Sequence, residues 1–166
     1  MNGKGLLLGD AGFTLVELMV TLTVAAILAV TAVPSFNSYI LNQGVRSTSF
    51  ELVSALAYAR SEAIKRNQPV TLQAEAGDWL NGWVAQVGDA ALRTWVPASR
   101  LDIEAPDPGS EDSAISVVTF RPDGLTNASV LFTLCDQYGS AEVAQRIIRL
   151  DSSGRPSLRR GGACGG

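Results

Sequence analysis

The chain has 166 residues, 17% of them charged, and a formal net charge of −3. That balance argues against a generally basic nucleic-acid binder, and the length leaves room for one domain beyond an N-terminal helix. There is no histidine, which removes the commonest general base and the commonest metal ligand.

The chain opens on a short segment, Met1–Gly12, carrying Lys4 and Asp10. From Phe13 to Val33 run 21 residues of which Glu17 is the only charged one. As a helix, that run spans about 30 Å, the thickness of a bilayer's hydrocarbon core. A carboxylate inside such a run is costly and is read by default as functional. If the chain is cut between Gly12 and Phe13, a new amine appears four residues before Glu17, and the carboxylate of one subunit can pair with the amine of its neighbour. Pro34 removes one helical hydrogen bond and is expected to kink the helix. From Val45 the pattern turns amphipathic. Val45, Ser49, Leu52, Val53, Leu56, Ala59, Ala63 and Ile64 form one face, and Arg46, Glu51, Arg60, Glu62, Lys65 and Arg66 the other. Asn67–Gln68–Pro69 ends the helix, because the residue before proline disfavours the α region.

Beyond Pro69 the period changes. Val70–Ala74, Trp83–Val87, Leu92–Val96, Ile115–Phe120, Val130–Cys135 and Gln145–Leu150 read as strands. Pro97–Asp112 reads as a long surface loop, and Arg121–Pro122–Asp123–Gly124 as a turn. The last two of those strands form a hairpin around Asp136–Glu142. Arg155–Arg160 is a final short strand or extended tail, and Gly161–Gly166 a flexible end pinned at Cys164. Cys135 and Cys164 are the two cysteines; in an oxidising compartment they would pair and tie the tail to an earlier strand, and otherwise they are free thiols.

Gly12, Phe13, Thr14, Leu15 and Glu17, followed by an apolar helix, resemble the signal of type IV pilins and type II secretion pseudopilins position for position. Tyr58–Ala59–Arg60–Ser61–Glu62–Ala63, Gly82–Trp83 and Thr119–Phe120–Arg121–Pro122–Asp123–Gly124 narrow the resemblance to the GspH/FimT family of minor pilins and pseudopilins. The resemblance implies an α+β fold, a long N-terminal helix packed on antiparallel β-sheet. It implies a leader, 1–12, removed by a prepilin peptidase, with N-methylation of Phe13. A transmembrane and filament-core helix, 13–41, and a periplasmic domain, 42–166, would follow. Such a chain starts as a single-pass inner-membrane protein and ends near a pilus or pseudopilus tip. There, as a low-abundance subunit among other minor and major pilins, it helps to initiate or cap the filament. Glu17 and Pro34 carry the assembly roles. The leader, with Asp10 and the apolar Leu6–Leu8, is less basic than the family's usual one, and an uncleaved signal anchor is the plainer alternative.

Charge is unevenly placed. Acids dominate Ala74–Asp112, whereas Arg146, Arg149, Arg155, Arg159 and Arg160 face only Asp151 near the end. Some relatives bind DNA through a Gly-Arg-x-Arg motif. Gly154 and Arg155 match it, but Ser157 holds the place of the second arginine. In an extended segment Arg155, Ser157 and Arg159 share a face, so Arg155, Arg159 and Arg160 are candidate contacts to the phosphates of double-stranded DNA. Arg146 and Arg149 point to opposite faces, so only one can join them. The plainer reading is a solvated basic end or a contact with another minor pilin. Trp79, Trp83 and Trp95 are read as core rather than as stacking platforms for bases. The acidic stretch Asp102–Asp112 is read as a solvated loop rather than a calcium site. No catalytic constellation, metal site or cofactor is expected. Three functions stay open: a structural minor pilin, a DNA-binding pilin serving uptake, and a type II secretion pseudopilin.

Overall fold

The computed structural model describes residues 12–107, 114–127 and 129–165, with the side chains of 30–35 left aside. The leader expected at Met1–Gly12 lies, up to Ala11, outside the described residues. The chain forms two compact units that meet between Asn37 and Ser38.

The first unit holds the start of α1, Leu15–Arg66. Thr14 caps it: the Glu17 N–H donates to Thr14 Oγ1 at 3.2 Å, satisfying one of the donors every helix start leaves open. Thr14-x-x-Glu17 is therefore also a capping sequence. Farther on, Thr21 Oγ1 donates to the Leu18 carbonyl and Thr23 Oγ1 to that of Met19, so both hydroxyls are satisfied within the helix. Apolar side chains lie exposed on all sides of it, from Leu15 and Val16 to Ile27 and Leu28. Among the described residues no helix is long and apolar enough to cross a membrane. The helix backbone is continuous through Pro34, whose side chain lies outside the described residues.

In the second unit the rest of α1 buries Val45, Leu52, Ala55, Leu56, Ala59 and Ala63. Two residues expected on its solvent side do not lie there. Glu62 is buried and accepts from Arg66 Nε at 2.6 Å, and the part-buried Arg60 donates through Nε to the Gly124 carbonyl at 3.0 Å. Ile64, expected to face inward, is instead exposed. The helix closes with Asn67 at φ 52° and the Gln68 N–H donating to the Ala63 carbonyl, a left-handed C-terminal cap.

Among the described residues eight strands follow: β1 Val70–Ala74, β2 Trp83–Val87, β3 Ala90–Trp95, β4 Leu101–Glu104, β5 Val117–Phe120, β6 Val130–Asp136, β7 Ala144–Leu150 and β8 Pro156–Ala163. They form two antiparallel sheets, ordered β3-β2-β1-β5 and β4-β6-β7-β8. The buried residues of the helix and both sheets make one core, with Trp83, Phe120 and Phe132 its largest fully buried side chains.

Strand β4 falls where a surface loop was expected. Leu101 and Ile103 are buried and Asp102 and Glu104 exposed, the period-two pattern of a half-buried strand. The chain's end also differs from expectation. Gly161 and Gly162 belong to β8, and among the described residues only Cys164 and Gly165 lie beyond it. Cys135 of β6 and Cys164 form a disulfide with Cα atoms 5.5 Å apart.

Candidate functional site

Three sequence motifs far apart in the chain converge in the second unit. Arg60 from the helix holds the Gly124 carbonyl. Gly124 sits in the turn after β5, where Asp123 pairs with Arg121 and accepts from the Leu125 N–H at 3.0 Å. Both partners shift in consequence: the Arg121 hydrogen bond pulls the Asp123 carboxyl below the usual range, and Arg121 is raised. Gly154 closes the cluster. Its φ is 72°, and a Cβ there would lie 2.2 Å from the Gly124 carbonyl oxygen. Thr126 reinforces the junction, its N–H donating to the Ser152 carbonyl and its hydroxyl to that of Asp151. Gly154 is thus a packing residue that starts β8 at a fixed place.

Cross-strand register then distributes the arginines. Arg149 pairs with Ser157, Ile147 with Arg159, and Arg146 with Arg160. Arg149, Ser157 and Arg159 line one groove on the sheet's outer face, together with Leu131. Ser157 Oγ donates to the Arg149 carbonyl at 3.3 Å. Arg155 is exposed but precedes the strand. Arg160 points to the opposite face from Arg159, because successive residues of a strand alternate. Arg149 is the strand β7 arginine that joins Arg159.

On the inner face, the row Ile103–Leu134–Arg146–Arg160 runs from buried core to the β8 edge. Arg146 Nε is buried with no hydrogen-bond partner. Burial lowers the Arg146 pKa, and Arg160 and Arg46 lower it further.

The three tryptophans are buried. Trp79 Nε1 donates to the Ile115 carbonyl at 2.6 Å, and its ring meets Phe132 edge-on with centroids 5.0 Å apart. Trp95 packs against Tyr58 and carries the Arg93 guanidinium over its ring. None offers an open stacking face. Of the acidic stretch, Asp102 and Glu104 lie on β4, and residues 108–113 lie outside the described residues. Among the described residues no group of three or more His, Cys, Asp or Glu comes together.

In the first unit, Gly12, Phe13 and Glu17 are all exposed. Glu17 lies in the first turn of the helix, at the same terminus as Phe13. Thr14, which matches the family signal, is also the helix cap, and Thr-x-x-Glu before an apolar run is a recognisable helix start.

Residues 49–154 match the family model described as type II transport protein GspH. Residues 8–33 match the prokaryotic N-terminal methylation motif. Among solved structures, the type IV minor pilin FimU of Pseudomonas aeruginosa strain PAO1 is similar in two crystal forms. One is 26% identical with a TM-score of 0.58, over 72% of this chain and 98% of that one. The other is 24% identical with a TM-score of 0.62, over 76% and 98%. The minor pseudopilin EpsH from the type 2 secretion system of Vibrio cholerae shares the fold at 11% identity and a TM-score of 0.50, over 71% of this chain and 96% of that one. None of the curated proteins searched matches the chain.

Proposed function

The chain belongs to the GspH family, and from that premise we propose that it is a minor pilin which helps to initiate or cap a type IV filament. A prepilin peptidase cuts after Gly12 and Phe13 is N-methylated. The helix at 13–41 first holds the subunit in the inner membrane, with 42–166 in the periplasm, and then packs among the helices of other pilins. Glu17 pairs with the Phe13 amine of a neighbouring subunit; out of water the attraction between the two charges strengthens, and leaving either one unpaired there becomes costly. Pro34 eases the helix into the filament. The chain's work is assembly rather than catalysis.

One observation carries this reading. A Thr14-capped helix presents apolar side chains on every side, with Glu17 as the lone charge four residues from the match to the cleavage site. Such a surface needs lipid or other helices around it.

The test is Glu17→Val in cells that make the filament. The expected result is normal membrane accumulation and normal cleavage, with the variant missing from sheared filaments. Incorporation equal to wild type would defeat the role given to Glu17.

A second reading is favoured by the groove of Arg149, Ser157 and Arg159. Two guanidiniums on one open face suit the phosphates of double-stranded DNA, without base readout and with steep salt dependence. It predicts binding that fades as salt rises and falls in the Arg149→Ala/Arg159→Ala double variant. Absence of binding at low salt would leave this face as a subunit contact. A type II secretion filament would employ the same assembly device.

A further inference from the structure

The inner-face arginines form a cluster that neither the processing signal nor the outer groove uses. Asn42 fixes its geometry. Asn42 Oδ1 accepts from the Ala144 N–H at 3.1 Å, and Asn42 Nδ2 donates to the Glu142 carbonyl at 3.1 Å. One helical turn onward stands Arg46, and two residues onward in β7 stands Arg146. The strand register shifts between Ala144 and Arg146, and Arg46 and Arg160 both stand near enough to Arg146 for their charges to disfavour its protonated form. Arg160 lies directly across from Arg146 on the edge strand β8.

Three guanidiniums therefore meet where the helix borders the sheet edge. Among the described residues none of them forms an ion pair. Glu142 is exposed and lines the same depression as Arg160, but it too stays out of ion-pair range. Arg146 stays charged at neutral pH, since a guanidinium does not release its proton there, and its Nε is buried without an acceptor. The residue as a whole is half-buried and only Nε is shut off from water, so an anion that reaches the guanidinium fork supplies the acceptor that Nε lacks.

We propose that Arg46, Arg146 and Arg160 form a docking site for an acidic side chain, Asp or Glu, of another protein chain. Carboxylate geometry matches a guanidinium fork through two parallel hydrogen bonds. The surroundings favour a protein over a polyanion. Phe50 is exposed on the same side of the helix, with the Arg46 guanidinium 5.8 Å from its ring centroid, and Tyr39 is exposed about two turns before Arg46. Arginine beside exposed aromatic rings is the composition of protein interfaces. Only the partner's identity as a neighbouring filament subunit rests on the assembly reading above; the binding itself does not.

The full chain in non-ionic detergent is titrated at low salt with a hexaglutamate peptide, inorganic phosphate and a short DNA duplex. Hexaglutamate binding is expected to weaken about tenfold or more in Arg146→Gln and in the exposed-site variant Arg160→Gln, the scale of one lost charge-assisted pair. Arg146→Lys keeps the charge but loses the fork and falls between. Lys65→Gln, a charge removed at the far end of the helix, is expected to bind as wild type. Circular dichroism confirms that each variant is folded. Failure of hexaglutamate to bind, equal weakening by Lys65→Gln, or dependence on Arg146 and Arg160 seen only with phosphate or the duplex would overturn the proposal. Failure of Glu17→Val to block assembly, with this binding intact, would remove the filament reading and leave the site.

Discussion

Replacing Gly154 with alanine separates packing from recognition in the Gly154–Arg155 pair. At φ 72° an alanine costs about 1–2 kcal/mol for its left-handed backbone. Its Cβ would also sit 2.2 Å from the Gly124 carbonyl oxygen. That contact is with backbone held by Arg60 and cannot be relieved by turning a side chain, so overpacking adds about 1–3 kcal/mol. The sum, about 2–5 kcal/mol, is a large part of an ordinary domain's stability. It should lower the melting temperature by roughly 5–20 °C. Arg155→Ala, at an exposed position, should stay within about 0.5 kcal/mol of wild type. The assay is thermal and denaturant unfolding of both variants with the disulfide intact. A Gly154→Ala protein as stable as wild type would show that the convergence of Arg60, Gly124 and Gly154 is not a structural junction.

Two further outcomes follow from the second unit. Removing the Cys135–Cys164 bridge, which closes a separation of 29 residues, should cost about 3.5 kcal/mol by the chain-entropy estimate; denaturant midpoints that do not move with reductant would contradict this. Acid unfolding should depend on Glu62, whose carboxyl is held below its ordinary 4.5 chiefly by the Arg66 hydrogen bond. A folded-state value below the unfolded one gives stability that is present above the unfolded value and lost as pH falls through the folded one. Glu62→Gln should flatten that acid limb, and an unchanged limb would mean the contact contributes nothing.

Much of this architecture was written locally. β1 and β2 have the predicted bounds because β-branched and aromatic residues alternate there between a proline and turn residues. The β6–β7 hairpin was legible for the same reason. β4 was hidden by its neighbours: Pro97, Pro106 and the acids suggested a loop, yet Leu101-Asp102-Ile103-Glu104 alternates as an edge strand should. The burial of Glu62 was obscured by its charge, although Arg66 one turn later was the available clue. What no local pattern carries is long-range pairing. The division into two sheets depends on β5 joining β1 and β6 joining β4. The same holds for the arginines. Their number was plain, but β7–β8 register decides that Arg149 stands with Arg159 and Arg146 with Arg160.

The most direct test of the filament account is the mass of the chain recovered from cells with a working prepilin peptidase. Intact-mass measurement and N-terminal fragmentation should show a chain beginning at Phe13, with one amine hydrogen replaced by a methyl group (a net gain of CH2) and two hydrogens lost to the Cys135–Cys164 bridge. A chain that keeps Met1–Gly12 in the filament-producing cell would contradict processing at this site, and with it the pairing of Glu17 to a neighbour's Phe13 amine.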